Sequence, residues 1–199
     1  YARSCQLLQQ KVYLCDNKHH TLMKHWLALL AAILLVPVCA RAQQERSDPL
    51  GNTLQYVPRL TVLVLDVCNV EHRTKGRWHY LANTVGSTVA ASGMAWALKR
   101  SVHEWRPDRT DRRSFPSGHA AMAFSGAHIL QKEYGQHSPW ISAGGYAVAT
   151  AVAVSRVTHD RHHWYDVAAG AAIGILGTEL VYFTTGKLFA GCETAVGLS

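Results

Sequence analysis

Three short polar stretches of the sequence carry residue types that together could transfer a phosphoryl group. The first has the pattern K-x6-R-P and begins at Lys99, the second is P-S-G-H and ends at His119, and the third is S-R-x5-H-x3-D and ends at Asp166. A phosphoryl group in transfer spreads negative charge over three oxygens, so a site without a metal needs several fixed cations and backbone N–H donors. The three stretches contain residues of both kinds.

Cations and amide donors for such a site come from all three stretches. Lys99, Arg106 and Arg156 can supply the positive charge, because a guanidinium fork matches phosphate oxygens and an ammonium is a compact charge. Ser117 and Gly118 stand where the chain is expected to enter a helix, so their N–H groups can point at an anion. Gly118 also lets the backbone approach a ligand closely.

Two histidines are candidates for the bond-making steps. His162 is followed one helical turn later by Asp166, which can hold Nδ1–H and leave Nε2 as a nucleophile toward phosphorus. His119, once protonated, can donate to the departing alkoxide and then act as a base toward water. This arrangement predicts a two-step phosphoryl transfer through a phosphohistidine.

Each stretch alone has an ordinary structural explanation. Basic residues at a helix C-terminus offset its dipole, Pro-Ser-Gly is common in turns and caps, and His162 and Asp166 could form a surface pair one turn apart. The functional interpretation depends on finding all three stretches in one chain.

The three stretches in this order resemble the type 2 phosphatidic acid phosphatase family, which shares its site with class A acid phosphatases and vanadium-dependent haloperoxidases. The resemblance covers about residues 81–187. It implies an all-helical core with His162 as nucleophile, His119 as acid and base, and Asp166 as orienting carboxylate. It also implies phosphate binding by five further residues, which are Lys99, Arg106, Ser117, Gly118 and Arg156. No cofactor is expected.

Other interpretations of the same residues remain open. His159, His162 and His163 share a helical face and could bind a transition metal, although Arg156 and Arg161 oppose a cation there. A haloperoxidase would hold vanadate in the same anion site, and a soluble periplasmic acid phosphatase would use the same chemistry. Three arginines of the loop before P-S-G-H could attract anionic headgroups, whereas interspersed acidic residues disfavour a nucleic-acid partner; these arginines are Arg109, Arg112 and Arg113.

The elements that must position these residues are predicted to be helices. Apolar segments of helical length, rich in Ala, Leu, Gly and Val, alternate with polar connections, which favours an all-α bundle of about five core helices. The five segments are Leu54 to Val70, Leu81 to Leu98, Ala120 to Leu130, Trp140 to Val154 and Trp164 to Thr185. At its 11 residues, the third segment would span only about 16–20 Å.

The N-terminal region is predicted to lie outside this bundle. Residues 1–22 show no apolar period and are expected to be a disordered leader or mis-assigned upstream sequence. Residues 23–42 have a short basic start, an apolar run and an A-x-A site, which predicts a secretory signal peptide or an uncleaved first transmembrane helix. The phosphatase-like domain is predicted over residues 43–199.

Composition and charge favour a membrane protein. Hydrophobic residues make up 48% of the 199 residues and charged residues only 17%, which excludes disorder for most of the chain. Basic residues in the connection of residues 71–80 fall opposite the three polar stretches, in agreement with the positive-inside rule. We therefore expect a bacterial inner-membrane enzyme whose site faces the periplasm and acts on a phosphorylated lipid or a small phosphomonoester, a soluble periplasmic protein being the alternative.

Overall fold

The computed structural model describes residues 48–196. These residues form six helices and no strand, apart from an isolated bridge between Glu104 and Arg113. The expected signal segment of residues 23–42 and the leader before it lie outside the described residues. The helices are Pro49–Leu54 (α1), Val57–Val67 (α2), Arg77–Ser101 (α3), Gly118–Tyr134 (α4), Pro139–Thr158 (α5) and Trp164–Val196 (α6).

The all-helical bundle predicted from the sequence is confirmed, with two differences in detail. Each of the five apolar segments is a helix, from α2 to α6. Helix α4 continues beyond the apolar segment to 17 residues, or about 26 Å, because polar residues near its C-terminal end also find buried partners. The short helix α1 precedes the first segment and was not predicted.

Polar and conformationally special residues define where helices begin. The Ser117 side chain accepts a hydrogen bond from the amide of Ala120 at the start of α4, and Ser138 does the same for Trp140 at the start of α5. Gly76 precedes α3 with φ of 88°, a left-handed conformation that favours glycine. These caps satisfy amide groups that would otherwise lack helical partners.

Helix α4 is the central element of the bundle. It packs most extensively against α6 and α5, and also against α2 and α3. Its buried residues lie on every side of the helix and are mostly small, among them Ala120, Ala123 and Ala127. Small side chains allow neighbouring helix backbones to approach closely.

The closest approach in the bundle is between α4 and α6. At Gly174 a Cβ atom would lie 2.5 Å from the carbonyl oxygen of Ala121 and 2.8 Å from the amide of Ser125. One turn earlier, a Cβ at Gly170 would overlap the carbonyl oxygen of Ser117. Glycine is therefore required on α6 at this crossing, which joins the start of α4 to the start of α6.

By length and composition, one stretch of the described residues could cross a membrane. It is Trp164–Ala190, 27 residues long, of which the most apolar window is only 28% buried. A stretch of about 20 apolar residues is enough to span the hydrocarbon core of a bilayer.

The α4–α6 crossing yields a stability prediction. Gly174→Ala should lower the free energy of unfolding by about 1–3 kcal/mol, because the added methyl group must displace the α4 backbone. Thermal unfolding in detergent micelles measures the change.

Gly186→Ala is the matched control on the same helix, since a Cβ at Gly186 meets nothing within 4 Å. We expect it to leave stability unchanged or to raise it by up to about 1 kcal/mol, the gain in helix propensity. Equal stability of Gly174→Ala and Gly186→Ala would contradict the close approach.

Candidate active site

Backbone hydrogen bonds bring the three polar stretches to one end of the bundle. The amide of Ser117, at the start of α4, donates to the carbonyl oxygen of Asp166 in the first turn of α6, at 2.9 Å. The amide of His162 donates to the carbonyl oxygen of Arg156 at the end of α5, at 3.2 Å. The second and third stretches are thus joined through main-chain atoms, whose geometry does not depend on side-chain rotamers.

His162 is the most enclosed histidine of this end and stands at its centre. Only 1% of the residue is exposed, and its Nδ1 lies 3.7 Å from Oδ2 of Asp166. That separation is too long for a hydrogen bond but keeps Asp166 on the Nδ1 edge. Nε2 therefore lies on the opposite edge of the ring, away from Asp166.

Burial and neighbouring cations together lower the pKa of His162. Burial is the largest cause, the charges of Lys99, Arg106 and Arg156 act in the same direction, and Asp166 opposes them. The imidazole is consequently neutral at pH 7, which is the protonation state a nitrogen nucleophile requires.

Asp166 is held by several donors. It is fully buried, and its Oδ2 accepts a hydrogen bond from the amide of His163 at 2.8 Å and another from the hydroxyl of Ser114. Nδ1 of His163 is 3.2 Å from the same oxygen. These contacts fix the carboxylate independently of His162, so it can orient that ring.

Arg156 is fully buried at the end of α5 and makes an ion pair with helix α1. Its Nη1 lies 3.3 Å from Oδ2 of Asp48 and 3.1 Å from Oδ1 of Asn52. The hydroxyl of Ser155 donates to the other oxygen of Asp48 at 2.9 Å. Arg156 is therefore attached to a segment about 100 residues away along the chain.

Arg106, in the loop after α3, is also buried and paired. Its Nε donates to Oδ1 of Asp111 at 2.8 Å, and its amide donates to the Asp111 carbonyl oxygen at 3.1 Å. The neighbouring Arg161 pairs with Asp108 at 2.6 Å, which ties this loop to the turn before His162. Hydrogen bonds from Thr110 and Arg161 outweigh burial and lower the pKa of Asp108.

Lys99 lies in the last turn of α3, half-buried, and near enough for its charge to act on His162. Ser117 is fully buried as the N-cap of α4, and His119 is buried in the first turn of that helix. Between them, the side of Gly118 that a Cβ would occupy is open for 4 Å among the described residues. An anion could approach the α4 N-terminus there, where the helix dipole favours negative charge.

Another arrangement of ligand atoms lies at the edge of the same site. Oxygen or nitrogen atoms of Glu104, His163 and Asp166 lie within 4.8 Å of one another and could hold a metal ion. The set differs from the histidines considered from the sequence, since the Nδ1 of His159 is 2.8 Å from the carbonyl oxygen of Ser155 instead. Glu104 already accepts a hydrogen bond from Tyr165, and Asp166 from Ser114.

All eight residues singled out from the sequence lie at this end of the bundle. Their partners were not predicted, because a carboxylate or hydroxyl that acts on another side chain carries no spacing pattern of its own. The Asp48-Pro49 pair is a helix-start signal, but nothing in it indicates contact with Arg156. The partners that were missed are Asp48, Asn52, Asp108, Asp111 and Ser114.

Residues 98–189, which contain the whole of this site except its α1 partners, match the family model described as the PAP2 superfamily. This part of the chain is similar to the PAP2 superfamily. The matched residues begin near the end of α3 and include all three polar stretches, so the resemblance inferred from the sequence is confirmed. Helices α1 and α2 lie before the matched residues.

Two curated PAP2-type proteins illustrate the similarity. The lipid A 1-phosphatase of Porphyromonas gingivalis is 36% identical over 175 residues, which are 84% of this chain and 39% of that protein. A PA-phosphatase related-family protein of Dictyostelium discoideum is 31% identical over 111 residues, 43% of this chain and 41% of that protein. The chain thus spans about two fifths of the length of these relatives.

The helical arrangement also has a counterpart among solved structures. The crystal structure of Aquifex aeolicus LpxE superposes with a TM-score of 0.53 at 22% identity, covering 73% of this chain and 93% of that one. At this level of identity, the likeness shows a shared helical fold.

The environment of His162 predicts its titration. Because its pKa is lowered, we expect its midpoint below the ordinary value of 6.5. The unfolded chain takes up this proton more readily than the folded one, so stability falls as the pH drops below about 6.5. Magnetic resonance titration of 13C-labelled histidines measures the midpoint, with the spectrum of His162→Gln for assignment.

Arg106→Gln removes one of the cations that act on His162 and should move its midpoint upward. A midpoint at or above 6.5 in the unmodified protein would mean that Asp166 outweighs burial and the cations.

Proposed function

We propose that the protein is a metal-independent phosphatase that hydrolyses phosphomonoester or pyrophosphate groups of lipids through a phosphohistidine. The observation that carries this proposal is the buried, neutral His162, with Asp166 on one edge and the charges of Lys99, Arg106 and Arg156 acting on it. A neutral imidazole among fixed cations is suited to attack an anionic phosphate, since the cations balance the charge that otherwise repels a nucleophile.

In the first step, Nε2 of His162 forms a bond to phosphorus while the bond from phosphorus to the leaving oxygen breaks. His119 donates its proton to that oxygen, which leaves as an alcohol or, from a pyrophosphate, as a phosphate monoester. Asp166 stabilises the positive charge that develops on the His162 ring. The three cations and the α4 amides bind the equatorial oxygens.

In the second step, water replaces the histidine. His119, now neutral, takes a proton from the water as its oxygen attacks phosphorus, and the bond from phosphorus to Nε2 breaks. Inorganic phosphate is released, and His162 returns to its neutral form. The same residue acts first as acid and then as base, so its protonation state is restored after one turnover.

Unbalanced arginines at the rim of the site support an anionic lipid substrate. Asp108 and Asp111 of the loop are paired with the buried Arg161 and Arg106. Among the described residues, no carboxylate pairs with the three exposed arginines of that loop, which are Arg109, Arg112 and Arg113. They can attract the headgroup surface, and lipid A 1-phosphatase activity in a similar protein agrees with this substrate class.

Exposed tryptophans support a membrane location. Trp78 and Trp96 lie 18 residues apart on α3, or about 27 Å along the helix, close to the thickness of a bilayer's hydrocarbon core. Trp140 lies at the start of α5, at the end of the bundle far from the site, and Trp164 lies at the start of α6, beside the site. All four side chains are 60–80% exposed, as expected for aromatic anchors at the two interfaces.

The surface between these anchors is apolar where helices face outward. One exposed face of α6 consists of the apolar side chains Leu176, Leu180 and Phe183. A contiguous apolar surface of this kind differs from the single exposed apolar side chains that are normal on a protein surface. The charged residue in this region, Glu179, is paired with Lys132 at 2.8 Å and with His128 at 2.6 Å. Pairing of this kind lowers the cost of placing charge within a membrane.

The proposed location is the bacterial inner membrane with the site facing the periplasm. Support comes from basic residues at the opposite end of the bundle, where Arg73 and Lys75 lie in the connection between α2 and α3. Cytoplasmic connections are enriched in such residues.

The mechanism predicts turnover without metal and dependence on one histidine. The purified protein should release phosphate from a lipid phosphomonoester at an undiminished rate in excess EDTA, and vanadate should inhibit it as a mimic of the pentacoordinate transition state. His162→Gln should lower kcat by at least about 10³-fold, the scale seen when a catalytic nucleophile is removed.

His137→Gln is the matched control, because this exposed histidine lies in the connection between α4 and α5, at the end of the bundle opposite the site; it should retain most of the activity. Loss of activity in EDTA would instead indicate a metal at Glu104, His163 and Asp166. Bromide oxidation with vanadate and peroxide that exceeds phosphate release would indicate a haloperoxidase.

A substrate panel distinguishes lipid from soluble substrates. We expect release from phosphatidic acid, phosphatidylglycerol phosphate, undecaprenyl pyrophosphate or a lipid A phosphate to exceed release from p-nitrophenyl phosphate by at least tenfold in kcat/KM. The activity should remain in the membrane fraction. Equal rates on p-nitrophenyl phosphate in the soluble fraction would point to a periplasmic acid phosphatase.

A further inference from the structure

Helix α1 holds a buried carboxylate that no step of the proposed reaction uses. Asp48 is 1% exposed and caps α1, with its Oδ1 accepting a hydrogen bond from the amide of Gly51 at 2.8 Å. A helix cap needs only that one contact and is usually exposed to water. The remaining contacts of Asp48 are therefore not explained by capping.

Those contacts all lead to the end of α5. Oδ1 also accepts a hydrogen bond from Ser155 at 2.9 Å, and Oδ2 lies 3.3 Å from Nη1 of Arg156. Asn52, one turn along α1, accepts from the same Nη1 at 3.1 Å. Two residues of one short helix thus hold one nitrogen of a fully buried guanidinium.

Two contacts to one nitrogen restrict the direction of the whole group. The guanidinium is planar and rigid, so contacts that hold Nη1 also limit where the other N–H groups can point. Arg156 is surrounded by protein, its carbonyl oxygen binds the His162 amide, and its charge acts on that ring. The contacts with Asp48 and Asn52 therefore constrain the orientation of this guanidinium beside His162.

The ionised form of Asp48 is favoured despite its burial. Burial alone raises the pKa of the carboxyl group, but the hydrogen bonds from Gly51 and Ser155 and the charge of Arg156 together lower it below its ordinary value. A charged Asp48 facing a charged Arg156 is a buried ion pair, which is retained only with good geometry and further hydrogen bonds. Here the further hydrogen bonds come from Gly51 and Ser155 to Asp48 and from Arg156 to Asn52.

We propose that α1 completes the phosphate site: Asp48, supported by Asn52, is a positioning residue that aims the Arg156 guanidinium at the transferring phosphoryl group. This inference rests on the proposed function for the reaction, and it extends the site about 50 residues upstream of the matched PAP2 residues. Asp48 does not touch the substrate and acts only through Arg156.

The test is a double-mutant cycle in the full chain. Asp48→Asn keeps the cap, since Asn is as good an N-cap as Asp, and removes the charge. We expect kcat to fall about 10- to 100-fold, the cost of a slightly misplaced catalytic contact, with a smaller change in KM and a parallel weakening of vanadate inhibition. The kcat of Arg156→Gln should fall further, and adding Asp48→Asn to that variant should change its kcat by less than twofold.

Asp66→Asn is the matched control. It breaks an ion pair with Arg77 at the far end of the bundle, at 2.5 Å, and should leave kcat and vanadate inhibition of the folded protein unchanged. Asn52→Ala removes the second contact to Nη1 without altering the cap and should lower kcat in the same direction as Asp48→Asn. It remains informative if Asp48→Asn does not fold.

Separate readouts distinguish failure of this inference from failure of the proposed function. Inorganic phosphate should raise the Tm of the unmodified protein, and the increase should shrink in Asp48→Asn, whether or not any lipid is hydrolysed. An unchanged phosphate-induced shift and unchanged kcat in Asp48→Asn would overturn the positioning role. A double variant whose loss of kcat equals the product of the two single losses would also overturn it, because that result would show that Asp48 acts independently of Arg156.

Discussion

Mutual repulsion among positive charges is the constraint on which this site depends. Arg106, Arg156 and Arg161 are buried close to His162, and the half-buried Lys99 adds a further charge. Uncompensated buried charge is strongly destabilising. The structure meets this constraint by giving each of these three arginines its own carboxylate: Asp111 for Arg106, Asp48 for Arg156 and Asp108 for Arg161.

These pairings also explain why the loop and α1 are folded as they are. Asp108 and Asp111 each contact a buried arginine through the side chain and make a further backbone hydrogen bond nearby, so the loop after α3 follows the positions of the cations. Helix α1 is held against α5 in the same way. The loop after α3 and helix α1 look like ordinary connections in the sequence, but they are held in place by the buried arginines whose charge they neutralise.

The sequence predicts the helices and the reactive groups better than it predicts the supporting contacts. Apolar segments of helical length are local signals, and Lys99, His119 and His162 belong to spaced patterns that describe one chemistry. Ser114 and Asp48 have no such pattern, because their contacts with Asp166 and Arg156 exist only once distant segments are packed together. Likewise, the requirement for glycine at positions 170 and 174 is visible only when the α4 backbone is in place. In the sequence alone, both glycines could simply reflect that the apolar segments are rich in Gly and Ala.

The backbone contact between α4 and α6 has a consequence for the proposed membrane location. Helices that touch through glycine cannot change their separation by rotating side chains, so this pair moves as a rigid unit when lateral pressure or lipid length changes. Ser117 and Asp166 belong to this unit, and their hydrogen bond fixes the relation between the anion-binding turn and the carboxylate. In the proposed membrane location, this hydrogen bond stays intact when the surrounding bilayer changes, so the same site geometry is available in membranes of different lipid composition.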